Sequence, residues 1–109
     1  MNVADAMTPR ADLVTVSLPG SRDDVLTYLQ EYRFSSVPVV KGEGDEEVYR
    51  GLVSRDDLIE KPDEDQLALL MQEVPTVTPD TNLRDAAQVM IGGSRRIPVV
   101  EEHNGDTLA

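Results

Sequence analysis

Two apolar periodicities mark off the elements of this chain. Short apolar runs at Leu13 to Val16, Ser36 to Val40 and Val48 to Val53 predict strands, and the glycine- and acid-rich stretch from Lys41 to Glu47 predicts the turn between the last two. Between the first two runs, Val25, Leu29 and Tyr32 recur at helical spacing behind Ser21, which with Asp24 three residues on makes a capping-box start. A second helix is expected near Ser54 to Glu60. Lys61 to Asp65, with Pro62 and three acids, reads as a linker, and LALLMQEV as a short helix carrying the chain into its second half.

That second half repeats the first. Thr15-Val16 returns as Thr76-Val77, 61 residues later, and Val37-Pro38-Val39-Val40 returns as Ile97-Pro98-Val99-Val100, 60 residues later. Leu83, Ala86, Ala87, Met90 and Ile91 draw the helical stripe of the second copy, which Gly92-Gly93 ends. His103-Asn104-Gly105-Asp106 predicts a hairpin turn, and Thr107-Leu108-Ala109 the start of the returning strand. Two copies follow, residues 1–60 and 61–109, each opening strand, helix, strand, turn, strand; the first closes with a helix. Neither holds enough apolar area to stand alone, so the halves are expected to pack face to face as one domain. The second copy lacks its last strand and helix, so the chain reads as a fragment or a truncated product whose open edges invite pairing with another chain.

Composition narrows the functional classes. With 21 acidic and 10 basic residues among 109, the formal charge is −11, and a nucleic-acid backbone would meet repulsion. There is no cysteine to form a disulfide, the longest apolar run is Leu67 to Met71, and the amino terminus has no secretory pattern. A cytoplasmic protein without membrane insertion is the expectation. Lys occurs twice against eight Arg, and 12 Asp outnumber 9 Glu. Such a balance points to a halophilic source, because self-repulsion fades once molar salt shortens the Debye length to about 3 Å; the plainer alternative is an acidic mesophilic domain.

The most informative segment is Gly51-Leu52-Val53-Ser54-Arg55-Asp56-Asp57-Leu58, a strand ending in Ser with a carboxylate three residues on. By itself it is an ordinary helix start, Ser54 at the N-cap and Asp57 at the third position. In company it says more. MTPRADLVTV, a helix, SSVPVV, an acidic turn and GLVSRDDL, followed by MQEVPTVTPDTNLRDAAQVM and RRIPVV, together resemble the tandem CBS-domain pair, or Bateman module. The resemblance covers nearly the whole chain and rests on order and spacing in two copies. It implies an α/β (α+β) fold of two β-α-β-β-α CBS repeats, packed sheet to sheet about a pseudo-twofold axis. It also implies clefts that bind AMP, ADP, ATP or S-adenosylmethionine and thereby regulate an attached or associated protein, commonly in a homodimer.

The resemblance assigns the residues of those clefts. Asp57 matches the ribose-binding carboxylate; an acceptor-only group with two oxygens suits a cis-diol. Ser54 matches the hydroxyl at the helix cap, and Leu52 lies beside the expected adenine. The facing wall would come from Gln72, Glu73 and Val74, then Ser94, Arg95, Arg96, Ile97 and Pro98, with Val74 and Ile97 flanking the base and Arg95 and Arg96 reaching phosphates. Without the resemblance, those two arginines read as a solvated pair balancing nearby acids. The related second cleft would use Ala11, Leu13, Phe34, Ser35, Val37 and Pro38, and is incomplete because its carboxylate would lie after Ala109.

Other chemistry is scarce. His103, the single histidine, sits in a turn without a cysteine partner, so neither a metal site nor a catalytic triad is expected. Gly42 and Gly44 lack the lysine and helix of a phosphate loop. The sequence therefore reads as a regulatory nucleotide-sensing module, with no catalysis or cofactor of its own. The alternative is a structural dimerisation or docking module with an empty cleft.

Overall fold

The computed structural model describes residues 1–32, 35–91, 96–102 and 105–109. Its sheet has three strands: β1 (Val16–Leu18) runs parallel to β2 (Ser36–Lys41), and β2 antiparallel to β3 (Val48–Ser54). As the central strand, β2 is buried from Ser36 to Val40, which is why its apolar run is nearly continuous. Pro38 has no N–H to give a ladder, yet it lies opposite Leu52. Leu52 turns its own N–H and C=O away from β2, to Gln72, so the proline leaves no bond broken on that side.

The predicted turn at 41–47 forms with Gly42 and Gly44 at φ 88° and 57°, a region that side chains disfavour. One extra residue on β3, Arg50, falls between the pairs Val39 with Gly51 and Val40 with Tyr49. The first strand is displaced from its expected place at 13–16 to Val16–Leu18. Only these three residues lie opposite β2, at Val39 to Lys41, while Arg10–Asp12 forms a 3-10 turn.

Four helices are described: α1 (Arg22–Tyr32), α2 (Arg55–Glu60), α3 (Leu67–Leu70) and α4 (Leu83–Ile91). None is long and apolar enough to cross a membrane. Val25 and Leu29 of α1 are buried as their spacing predicts. Tyr32 is not; it is 44% exposed and stacks on Tyr28 with ring centroids 5.8 Å apart.

The chain divides into two compact units, and they are not its sequence halves. One unit is Val14–Glu73; the other joins Met1–Leu13 to Val74–Ala109. The short helix α3, expected to lead into the second copy, belongs to the first: Leu67 and Leu70 are fully buried with Val16, Val25, Leu29, Val37, Val39, Val53 and Leu58. In the other unit Val3 packs with Val77 and Ala86, beside Met7, Leu83, Val89, Ile97 and Val99. Each copy thus receives a lead segment through the same bonds. The Leu67 N–H donates to Gly20 O (3.0 Å) and the Val3 N–H to Thr81 O (2.8 Å), with bridges Ser21 to Gln66 and Asn2 to Asn82 alongside.

The repeat is visible in the sheet registers too. Val16 pairs with Val39 in β1 and β2, and Val77 with Val99 in the second copy, both parallel. Among the described residues the second copy has bridges where the first has strands; Val100 pairs with Leu108, in the stretch expected to start the returning strand. On α4 the buried face runs through Leu83, Ala86 and Val89, whereas Ala87 is exposed. The side chains of Met90 and Ile91, the Gly92-Gly93 breaker, and His103 and Asn104 of the hairpin lie outside the described residues.

Two arginines tie α1 and α2 reciprocally. Arg22, at the start of α1, donates from Nη2 to Leu58 O (2.8 Å) and from Nη1 to Lys61 O (2.8 Å) and Glu64 O (3.4 Å), in and just after α2. Arg55, at the start of α2, donates from Nη2 to Leu29 O (2.9 Å) near the end of α1. Each guanidinium thus donates to carbonyls in the last turn of the other helix or just after it.

Candidate functional site

Where β3 runs into α2, the backbone turns at Ser54, the N-cap, with φ −107° and ψ 167°. The capping box read from sequence forms here. Asp57 Oδ2 accepts the Ser54 N–H (2.8 Å) and the Ser54 hydroxyl (2.9 Å), while Ser54 Oγ accepts the Asp57 N–H (3.3 Å). Asp57 is a buried acid, only 4% exposed. A buried carboxylate needs partners for both oxygens. Its second oxygen, Oδ1, accepts from the side-chain amide of Gln72, Nε2, at 2.5 Å.

Gln72 is held against the outer edge of β3. Leu52 and Gln72 exchange both backbone hydrogen bonds, each 2.8 Å, as an antiparallel bridge. This contact covers an edge that would otherwise be open to pairing. It depends on Gly51: a Cβ there would lie 2.8 Å from Gln72 O and 3.3 Å from Met71 Sδ. Gly51 joins the site residues expected from sequence, and a glycine inside a strand is the signal for such a close backbone approach. The result is a carboxylate with divided duties. Oδ2 is committed to starting α2, and Oδ1 faces a donor on the exposed residue Gln72.

Of the sequence-predicted residues, Leu52, Ser54, Asp57 and Gln72 come together in one unit, with Glu73 exposed beside them. Val74, Arg96, Ile97 and Pro98 belong to the other unit. Arg96 is half-buried, and desolvation lowers its pKa from the ordinary arginine value. Ser94 and Arg95 lie outside the described residues, as does Phe34 of the second set. Within that second set, Ala11 and Leu13 sit in one unit and Ser35, Val37 and Pro38 in the other. Val37 is fully buried in the core and Pro38 is buried on β2. Elsewhere, Asp80 raises the pKa of Glu102, chiefly through a side-chain hydrogen bond and then by charge repulsion.

A family model for the CBS domain matches residues 3–64 and 67–108. No curated protein matches the chain. Among solved structures, CBSX2 in complex with AMP is 33% identical, with a TM-score of 0.80 over 99% of this chain and 87% of that one. The CBS-pair protein CBSX2 from Arabidopsis thaliana is 32% identical, also with a TM-score of 0.80, over 99% and 85%. The CBS domain of a bacterial CNNM/CorC family Mg2+ transporter in complex with ATP is 23% identical, with a TM-score of 0.79 over 100% and 79%. At that identity the last likeness shows the fold alone.

Proposed function

This chain belongs to the CBS-domain family, and from that premise we propose that it is a regulatory module that binds an adenosine nucleotide and controls an attached or associated protein. AMP, ADP, ATP and S-adenosylmethionine are the candidate ligands, and a homodimer is the proposed assembly. The observation that carries this reading is Asp57: a buried carboxylate with one oxygen fixed by the capping box and the other bonded to an exposed residue. A ribose hydroxyl is a donor that such an oxygen can accept. CBSX2 with AMP, at 33% identity, supports the ligand class. Control would follow from a ligand that prefers one arrangement of the module over another, since equal affinity for both shifts nothing.

A second reading, a docking module without ligand, is favoured by one observation: Gln72 already satisfies Oδ1. Calorimetric titration of the full chain with the four candidates in molar KCl separates the two. The nucleotide reading expects saturable binding that Asp57→Asn weakens at least about tenfold, a hydrogen bond to a charged group being at stake. Binding unaffected by Asp57→Asn in a folded variant removes the site assignment. Absence of binding by all four ligands leaves the docking reading.

A further inference from the structure

We propose that the Gln72 side chain is an internal competitor for Asp57 Oδ1, and that it sets how strongly this site prefers a ligand with a vicinal diol over one without. The inference rests on the nucleotide reading above and deepens it. Because Oδ2 holds both the N–H and the hydroxyl of Ser54, freeing it would undo the start of α2. Oδ1 is therefore the exchangeable oxygen, and the Gln72 amide occupies it.

The competitor is anchored as well as placed. Two 2.8 Å backbone bonds to Leu52 fix the main chain of Gln72, and the bare backbone of Gly51 lets it come that close. The amide swings away by side-chain rotation alone, with its backbone bonds intact. Since Gln72 is exposed, the released amide has water to bond to. A side-chain N–H and a ribose O–H are the same kind of partner for a carboxylate oxygen. Oδ1 has two acceptor positions and the Gln72 amide takes one, so a diol that gives both hydroxyls to Oδ1 must displace the amide, and its net gain is small. A ligand without hydroxyls leaves the Gln72 bond in place and keeps the buried oxygen satisfied. Gln72 thus weakens diol ligands selectively.

Titration calorimetry on the full chain in molar KCl tests this with AMP and 2′,3′-dideoxy-AMP, on the wild type, Gln72→Leu and Gln72→Met. Either substitution removes the donor from an exposed position, and circular dichroism checks that the fold is kept. The expected result is AMP binding tightened about tenfold, the low end of what a hydrogen bond to a charged group contributes, and a wider AMP preference over the dideoxy compound. AMP binding weakened by both variants would show that the amide holds the ligand; unchanged AMP binding would show no competition. Either outcome overturns the competitor while the nucleotide reading stands. If AMP, ADP, ATP and S-adenosylmethionine all fail to bind the wild type and the variants, the nucleotide reading fails and the competitor with it; if another of the four binds where AMP does not, the nucleotide reading stands and unchanged binding of that ligand to Gln72→Leu and Gln72→Met overturns the competitor.

Discussion

Gly51→Ala tests whether the close approach of Gln72 to β3 organises this region. The added Cβ would lie 2.8 Å from Gln72 O and 3.3 Å from Met71 Sδ. The first distance is too short for any carbon to keep, and the atom it meets is backbone, which cannot swing aside. Overpacking of this kind costs about 1–3 kcal/mol. If the segment lifts away instead, two backbone bonds of 2.8 Å are lost, at about 1 kcal/mol each. Both routes give about 2 kcal/mol. In a domain of this size each kcal/mol moves the melting temperature by about 4–8 °C, so a fall of about 10 °C is expected. Gly105→Ala is the control, because a Cβ there meets nothing within 4 Å. Urea denaturation followed by circular dichroism measures both variants. Stability of Gly51→Ala within about 0.5 kcal/mol of the wild type would refute the argument, since ordinary surface changes stay inside that range.

The arginine clasp is tested by Arg22→Ala, expected to cost about 2 kcal/mol by denaturant titration because a charged donor leaves the carbonyls of Leu58 and Lys61. Arg22→Lys should recover less than half, a single ammonium being unable to fork to two carbonyls. The Glu102 carboxyl, raised by Asp80, favours its protonated form in the folded state. That contribution is complete below the ordinary glutamate value and is lost as pH rises through the raised one. Melting curves from about pH 4 to about pH 7 should therefore show the wild type losing ground to Glu102→Gln as pH rises; a constant gap would contradict the pairing. The net charge of −11 predicts that the melting temperature climbs between dilute buffer and molar KCl, as the Debye length falls to about 3 Å. A flat response to KCl would speak for an ordinary acidic domain.

What was legible in the sequence is what local rules decide. The capping box at Ser54 and Asp57, the buried pair Val25 and Leu29, and the shared register of Val16 with Val39 and Val77 with Val99 follow from caps, periods and a repeat. Decisions made by tertiary contact were not legible. Tyr32 sits at core spacing yet is 44% exposed, its ring packing on Tyr28 of its own helix rather than in the core. The sequence predicts the four-residue helix α3 as a connector, but two of its leucines complete the first copy's core. A signal for its role existed: Val3 and Met7 match Leu67 and Met71, 64 residues on, but the longer offset hid the match beside repeats at 60 and 61. At the site, the Ser54 and Asp57 capping box could be read from spacing and the ligand role of these residues only from the resemblance, whereas the Gln72 bond depends on an edge contact 15 residues away.

The crossed lead segments also bear on how the protein is made. A chain leaving the ribosome presents its amino end first. The unit Val14–Glu73 has all its residues once Glu73 has been synthesised, and α3 can seal it at once. Val3 must wait, because its partners Val77, Thr81 and Ala86 do not yet exist. The segment around Val3 is therefore made well before the partners that bury it, and during that interval it has nowhere to dock.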